Sequence, residues 1–459
     1  MRNIYIACLI ALISVTGAEG VYAQILKSAY FLETSMQRQN FNPAFHTDKG
    51  FIAIPVLGGI GAQVETNSFL VDHFIYKRPD GSLTTFLDPS VDVNKFIGKL
   101  VDNNRLSQSL DVNIFSIGFA KESGYWTGGI SLRQNANIAI PKGAFELAKL
   151  GPDSYSPIRK FEVNANTFLE VYAGYSRKLT DNMTVGGRLK YLGGIGRTRM
   201  QITQFDVFSN EDKLYAKVNT TLDTYVKGLK NTAEGIQDID KYFDHYEMSN
   251  GGYGLAGNGL AIDLGAEYKP LNWLKISASV QDIGFIAWSK SSSVRAASDG
   301  VVDFIGLDID VNDDSSVDDQ LDDLGDRFKQ MIKYQNIDKK GHAKSLYMKV
   351  NIGAEATILN DLLGFGLLYT NQMSEYFPVN DLTASVSCRP LNWLQGAVST
   401  SVINGHFGSF GMALNIAPAK AVNITFGGDF LFKKLTKQFY PIHSYGYNFY
   451  AGIAIPLNI

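Results

Sequence analysis

Cysteine is almost absent. Cys8 and Cys388 are the two present among 459 residues, and Cys8 falls inside an apolar N-terminal run. That leaves Cys388 alone, which excludes an internal disulfide, and no Cys/His group has metal-ligand spacing. Past the N-terminus there is no run of about 18 apolar residues, so α-helical membrane spans are excluded. Charge of one sign is also missing. The chain carries 42 Lys+Arg against 45 Asp+Glu, a net charge of −3, with no basic stripe to bind nucleic acid. The six histidines (His46, His73, His245, His342, His406 and His443) are scattered over different segments. Gly252-Tyr253-Gly254 lacks the strand-to-helix setting of a phosphate loop. No nucleophile stands with a base, so the chain is not expected to be an enzyme, and no cofactor or metal is expected. The acidic stretch from Asp308 to Asp314 imitates a calcium loop. Its sixth position is Asp313 where glycine is needed, and its twelfth is Asp319 where a bidentate Glu is needed, so it reads as a solvated loop.

The start of the chain reads as an export signal. Arg2 precedes an uncharged run from Ile4 to Val15, and Val21-Tyr22-Ala23 offers small residues for cleavage. Residues 1–23 are expected to be removed, leaving Gln24 first. Cys8 lies too close to the start to serve as a lipidation site.

The rest of the chain is dominated by period-two patterning. Leu260, Ile262, Leu264 and Ala266 alternate with Ala261, Asp263, Gly265 and Glu267. Leu274, Ile276, Ala278 and Val280 alternate with Lys275, Ser277, Ser279 and Gln281. Between these stretches stands Lys269-Pro270-Leu271-Asn272-Trp273-Leu274, which recurs as Arg389-Pro390-Leu391-Asn392-Trp393-Leu394. About fourteen such strands can be read between residues 50 and 458. Tight connections are expected at Glu122-Ser123, Thr180-Asp181-Asn182, Pro270-Leu271, Asn360, Pro390-Leu391 and Pro418-Ala419. These follow every second strand, and the long connections fall between them. Long strands, one greasy face, flanking Trp and a strict alternation of short and long loops define an all-β protein, a transmembrane antiparallel barrel with both termini on the tight-turn side. The 44 glycines, 12% aromatics and mean hydropathy of −0.05 agree. A soluble sandwich or propeller would leave the strand lengths and loop asymmetry unexplained. Helical spacing in three long connections, 89–106, 221–246 and 317–334, predicts extracellular helices that cap the barrel or dock a partner.

Three N-terminal motifs, Ser28-Ala29-Tyr30-Phe31-Leu32, Asn42-Pro43-Ala44-Phe45 and Gly50-Phe51-Ile52-Ala53-Ile54-Pro55, together with Gln281-Asp282-Ile283-Gly284-Phe285-Ile286-Ala287-Trp288, resemble a family of uncharacterised bacterial outer-membrane proteins. The Asn-Pro-Ala element and the strand count are also similar to the FadL-like long-chain fatty-acid transporter barrels. That resemblance implies an N-terminal plug over residues 24–49, a barrel over 50–459, and a kinked strand that opens a lateral exit.

Alternation turns Arg133, Glu170, Arg188, Lys190, Asp263, Glu267, Lys275, Lys349, Glu355 and Asp429 towards the lumen. They form either a polar path with a gate or a neutralised filling. Asp282 breaks the phase of its strand and would point into lipid unless Asp282 to Gly284 form a bulge. Such a bulge could be structural, with Trp288 in an interfacial girdle, or could open a lateral exit. By architecture, the expectation is passive uptake of a small or hydrophobic solute across the outer membrane of a Gram-negative bacterium. The alternative is a surface scaffold or secretion-complex partner. Outer-membrane lipid is the expected surround. A hydrophobic ligand in the lumen and a protein at the outer loops are the further possible partners.

Overall fold

In the computed structural model, the described residues are 26–47, 49–54, 57–121, 124–151, 156–210, 213–234, 237–249, 252–303, 332–375, 378–404, 406–407, 409–418, 421–435 and 441–457. Fourteen strands close into an antiparallel barrel. In chain order they are β1 (Gly50–Ala53 and Ile60–Thr66), β2 (Asn103–Lys121), β3 (Gly124–Pro141), β4 (Phe161–Thr180), β5 (Met183–Asn210), β6 (Gly257–Leu271) and β7 (Leu274–Trp288). Then follow β8 (His342–Ser345 and Lys349–Ile358), β9 (Leu363–Gln372), β10 (Val379–Leu391), β11 (Leu394–Ile403), β12 (His406–Phe407 and Ser409–Ile416), β13 (Asn423–Leu435) and β14 (Pro441–Leu457). Each strand pairs with the next, and both pieces of β1 pair with β14. Closure leaves no edge with unpaired N–H and C=O groups, the condition a sheet must meet to cross a bilayer. Among the described residues no helix is long and apolar enough to cross one.

The two faces reverse the usual order of a soluble sheet. Leu260, Leu264, Phe285, Ile352, Phe365, Leu367, Val398, Phe410 and Met412 are exposed on the outside. Ser277, Ser279, Asn351, Thr370, Thr383, Ser385 and Asn415 are buried on the inside. A continuous apolar outer band of this size has no place in water. Trp126, Trp273 and Trp393 are exposed near the tight turns, where an aromatic girdle belongs.

The repeated Pro-Leu-Asn-Trp motif builds the same turn twice. Leu271 faces Leu274 and Leu391 faces Leu394, each after a register shift. The two-residue turns are therefore Asn272-Trp273 and Asn392-Trp393, two residues later than the sequence places them. Pro270 and Pro390 lie within the shifts, where a residue without N–H breaks no ladder bond.

The long connections are less helical than expected. In 89–106 only Val93–Ile97 is helical, capped by Asp92, which accepts from Lys95 N at 2.7 Å; Asn103 already begins β2. In 221–246 the first part completes a strand, Lys213–Val226, and only Ile239–Asp244 is helical. Thr220, Leu222 and Thr224 bury alternate positions there. The β-forming content of Thr, Tyr and Val outweighs the helical spacing of Leu222, Tyr225 and Leu229. Of the third expected helix, 317–334, all but the end lies outside the described residues, and Lys333–Asn336 is strand. The expected signal peptide, 1–23, and the acidic stretch 308–314 lie outside the described residues as well. The longest described helix, Lys142–Leu150, was not anticipated.

At 28 residues, β5 far exceeds the roughly 9–11 that span a bilayer. Met183–Gly194 pairs with β6, whereas Gly196–Asn210 pairs with strand Lys213–Val226. That strand pairs onward with Ser293–Asp303, which pairs with Lys333–Asn336. The result is an extension of the barrel sheet at the long-loop end, with its own core around Ile202, Phe205, Leu222, Tyr242 and Tyr334.

Surface proteolysis of intact cells tests this topology. A protease site inserted between Asp80 and Gly81, in an exposed hairpin of the first long loop, should be cut. One inserted between Asn272 and Trp273 should be protected. Cleavage of the second with the membrane intact would invert the orientation.

Candidate functional site

The barrel interior is occupied by residues 26–47, which have no secondary structure beyond the single turns Lys27–Ala29 and Arg38–Asn40. A buried irregular segment must find partners for its peptide groups, and the barrel wall provides them. Asp429 on β13 accepts from Lys27 N at 2.7 Å and Ser28 N at 3.3 Å. Gln395 on β11 accepts from Thr34 N at 3.1 Å and donates to Phe31 O at 3.2 Å. Asn423 donates to Thr34 O at 2.8 Å. Three consecutive carbonyls are then met in turn. Arg188 donates to Gln39 O (3.1 Å), Gln281 to Asn40 O (2.9 Å) and Ser279 to Phe41 O (3.0 Å).

The Asn-Pro-Ala motif has a specific seat. Asn42 Nδ2 donates to Ala266 O at 3.1 Å and to Ala278 O at 3.0 Å, while its Oδ1 accepts from Ala44 N at 2.9 Å. The motif lies directly on Gly186 and Gly265. A Cβ would come within 2.3 Å of Pro43 O at the first and 1.9 Å of Asn42 Oδ1 at the second. Tyr30 packs edge-on against Phe31, Phe41 and Phe45, and its hydroxyl lies 3.0 Å from Ser277 Oγ.

The twelve residues singled out in the sequence separate into groups. Glu267, Lys275, Glu355 and Asp429 hold the N-terminal segment or its holders. Glu267 lies 3.7 Å from Arg38. Lys275 pairs with Glu33 and stands 4.0 Å from Glu355. Lys27 adds a buried pair with Asp381 of β10. Glu33, Lys27 and Asp381 were not anticipated, because alternation assigns a facing and not a partner.

Arg133, Glu170, Arg188, Lys190, Asp263 and Asp282 meet in one network. Arg133 of β3 donates to Glu170 at 2.9 Å and grips both oxygens of Asp282 at 2.9 Å. Lys190 of β5 lies 2.7 Å from Asp282, 2.8 Å from Asp263 and 3.5 Å from Glu170. Arg188 lies 3.6 Å from Asp263, and Asp111 lies 3.7 Å from Arg133.

A bulge brings Asp282 into this network. Ile262 faces Ile283 and Leu264 faces Val280, so Asp263 alone opposes Gln281 and Asp282. Asp282 takes a left-handed conformation, φ 60°, and its N–H donates to Asp263 Oδ1 at 2.8 Å. The inward positions before the bulge are Ser277, Ser279 and Gln281; after it they are Asp282, Ile286 and Trp288. Trp288 is thus not a girdle residue. It is 3% exposed and packs inside. Gly284 serves by close approach to its neighbours: a Cβ would lie 2.2 Å from Leu260 O. On the other side of β7, pairing with β8 lapses between Gln281–Lys349 and Phe285–Ser345, with Leu346 N bonded to Gly284 O at 2.9 Å.

Next to the network and against Leu26 lies a cavity of about 180 Å³. Phe168, Ile286, Trp288 and Leu346 supply its apolar wall, and Arg133, Lys190, Asp282 and Lys349 its charged one. Among the described residues no group of three or more His, Cys, Asp or Glu is placed to hold a metal.

These features define a transmembrane β-barrel whose lumen is occupied by its own N-terminal residues. The chain belongs to a family of unknown function (DUF5723), matched over residues 43–429. Solved barrels similar to it include the toluene transporter TbuX of Ralstonia pickettii, at 10% identity over 91% of this chain and 92% of that one, with a TM-score of 0.45. A FadL homologue of Pseudomonas aeruginosa is similar at 9% identity over 95% and 99%, with a TM-score of 0.42. Comparison with curated proteins gives no match.

Two substitutions test the network. Asp282→Ala removes the carboxylate that Arg133 and Lys190 share and leaves them Glu170 and Asp263, so the cost should approach but not exceed the about 3–5 kcal/mol of breaking a buried pair. Asp282→Asn keeps a residue that tolerates the left-handed backbone and should cost less. Urea unfolding in detergent, followed by tryptophan fluorescence, measures both; an Ala variant as stable as the native barrel would refute the assignment. Gly284→Val should lower the yield of folded barrel on a non-boiled gel, since the clash is with the backbone of β6. Normal yield would show that the bulge can relax.

Proposed function

We propose that this barrel is a passive entry route for a small, partly apolar solute, with residues 26–47 as its plug. The observation that carries this reading is the cavity beside Leu26. It runs along the N-terminal segment from Leu26 to Phe41, lined chiefly by β2, β3, β4, β5, β7 and β8, and its wall mixes polar, aromatic and charged groups. Pockets that bind small molecules commonly combine an apolar lining with a few placed polar groups. The lapse in pairing between β7 and β8 beside Asp282 supports a sideways release into the bilayer once the network loosens. Many hydrogen bonds hold the segment, each modest in net worth, so its displacement is a matter of partner exchange and not of unfolding a domain.

A second reading, a surface scaffold, draws on the extension of the barrel sheet around Phe205 and Tyr334, which exceeds what a pore needs.

Deleting residues 25–48 separates the two. In liposomes the deleted barrel should admit small solutes several-fold faster than the native one, with assembly confirmed by heat-modifiable migration. An assembled variant of unchanged permeability would count against the plug and favour the scaffold.

A further inference from the structure

The inner face of β2, β3 and β4 carries three cross-strand couples that line the cavity and that the ion-pair network does not fully engage. Asn113 faces Ser131 and Asp111 faces Arg133 across β2 and β3, and Asn135 faces Asn166 across β3 and β4. Ser131, Arg133 and Asn135 are successive inward positions of β3, so the couples stand one above the next. Asp111 is the most open of them. Its side chain is 50% exposed, and among the described residues its one ion-pair partner, Arg133 Nε, stands 3.7 Å away, beyond hydrogen-bond reach. Arg133 commits its other nitrogens to Glu170 and Asp282. Asn135 Nδ2 reaches Asn166 Oδ1 only at 3.5 Å. Asn113 donates to Ser116 Oγ at 3.0 Å, but its Oδ1 has no partner among the described residues.

An ionised carboxylate only accepts hydrogen bonds, and a carboxamide both donates and accepts. A hydrocarbon would strip water from these groups and leave them unpaired, which is unfavourable. An ion does not suit them either. Between Asp111 and Arg133 an anion meets the carboxylate and a cation meets the guanidinium. A hydroxyl suits both, because it donates to the first and accepts from the second. Facing positions on paired strands lie about 4.5–5.5 Å apart, a spacing at which one ring can offer separate hydroxyls to neighbouring couples. A cavity of about 150 Å³ holds benzene, so about 180 Å³ takes one substituted ring. Ile286 and Leu346 line the same cavity and suit its C–H groups.

We propose that the cavity receives a neutral, ring-shaped polyol of monosaccharide size, with its hydroxyls on Asp111, Arg133, Asn135 and Asn166. This rests on the uptake reading and names the class of solute for that same site.

D-Glucose and tetrahydropyran, the same ring without hydroxyls, test it on the purified full-length barrel in detergent, with calorimetry and tryptophan fluorescence as readouts. Glucose should bind roughly tenfold or more tighter than tetrahydropyran, the scale of one or two net hydrogen bonds, and tighter than its charged relatives glucosamine and glucuronate. Asp111→Ala should weaken glucose binding about tenfold without weakening that of tetrahydropyran, a split that a general loss of structure would not produce. Asp111→Asn, which keeps an acceptor, should retain most of the preference. Replacing Asn135 and Asn166 together by Ala should act as Asp111→Ala does. Folding of each variant is checked by non-boiled gel migration. Equal binding of glucose and tetrahydropyran to the native barrel, tighter binding of a charged ring, or glucose binding untouched by Asp111→Ala would overturn the proposal. If tetrahydropyran binds and crosses liposomes while glucose does neither, the uptake reading stands alone. If no probe binds or crosses, both readings fall.

Discussion

Asp282 takes two cations at once, Arg133 from β3 and Lys190 from β5, and much of the interior follows from that contact. The carboxylate can reach them only because one extra residue has been placed in β7. In a strand the side-chain period is two, so a single inserted residue reverses the facing of everything beyond it. Ile286 and Trp288 come inside for that reason and form one wall of the cavity, while Ile283 and Phe285 go out to the apolar band. The bulge needs a left-handed residue, and Asp282 supplies it, with Asp263 accepting the freed N–H. Conformation, charge pairing and the shape of the cavity are therefore one arrangement.

The same network also reaches the N-terminal segment. Arg188 pairs with Asp263 on one side and donates to Gln39 O on the other. Gln281, the residue before the bulge, donates to Asn40 O. Residues 39–41 are thus held by side chains that border Asp282. A shift of the segment would be felt first at the bulge, and a rearranged bulge would release the segment's carbonyls.

The sequence made the sheet legible because both faces of a membrane barrel are chemically committed: alternation gave the strands, and loop parity gave their direction. The break in phase after Val280 pointed to the bulge. What stayed hidden was azimuth. Arg133 and Asp282 are 149 residues apart, and facing inward does not tell which inward groups meet across a lumen. Glu33, Lys27 and Asp381 escaped notice for the same reason. The loops misled because Leu222, Tyr225 and Leu229 satisfy a helical spacing by accident, in a stretch whose Thr and Tyr content favours strand. Trp288 was misplaced because the change of phase at the bulge, carried on along the strand, turns it inward with Ile286 and not out to a girdle.

A polar lumen follows from what fills it. An irregular segment carries peptide groups that its own turns leave unpaired, and an apolar wall would leave them so. Ser279, Gln281, Gln395, Asn423 and Asp429 meet these groups one by one, which fixes the polarity of the wall wherever the segment runs. The open space runs alongside that segment from Leu26 to Phe41, so its wall mixes Ser131, Asn166 and Gln281 with Phe168, Ile286 and Trp288. Ile286 and Trp288 are there because the extra residue in β7 turns them inward beside the ion pairs.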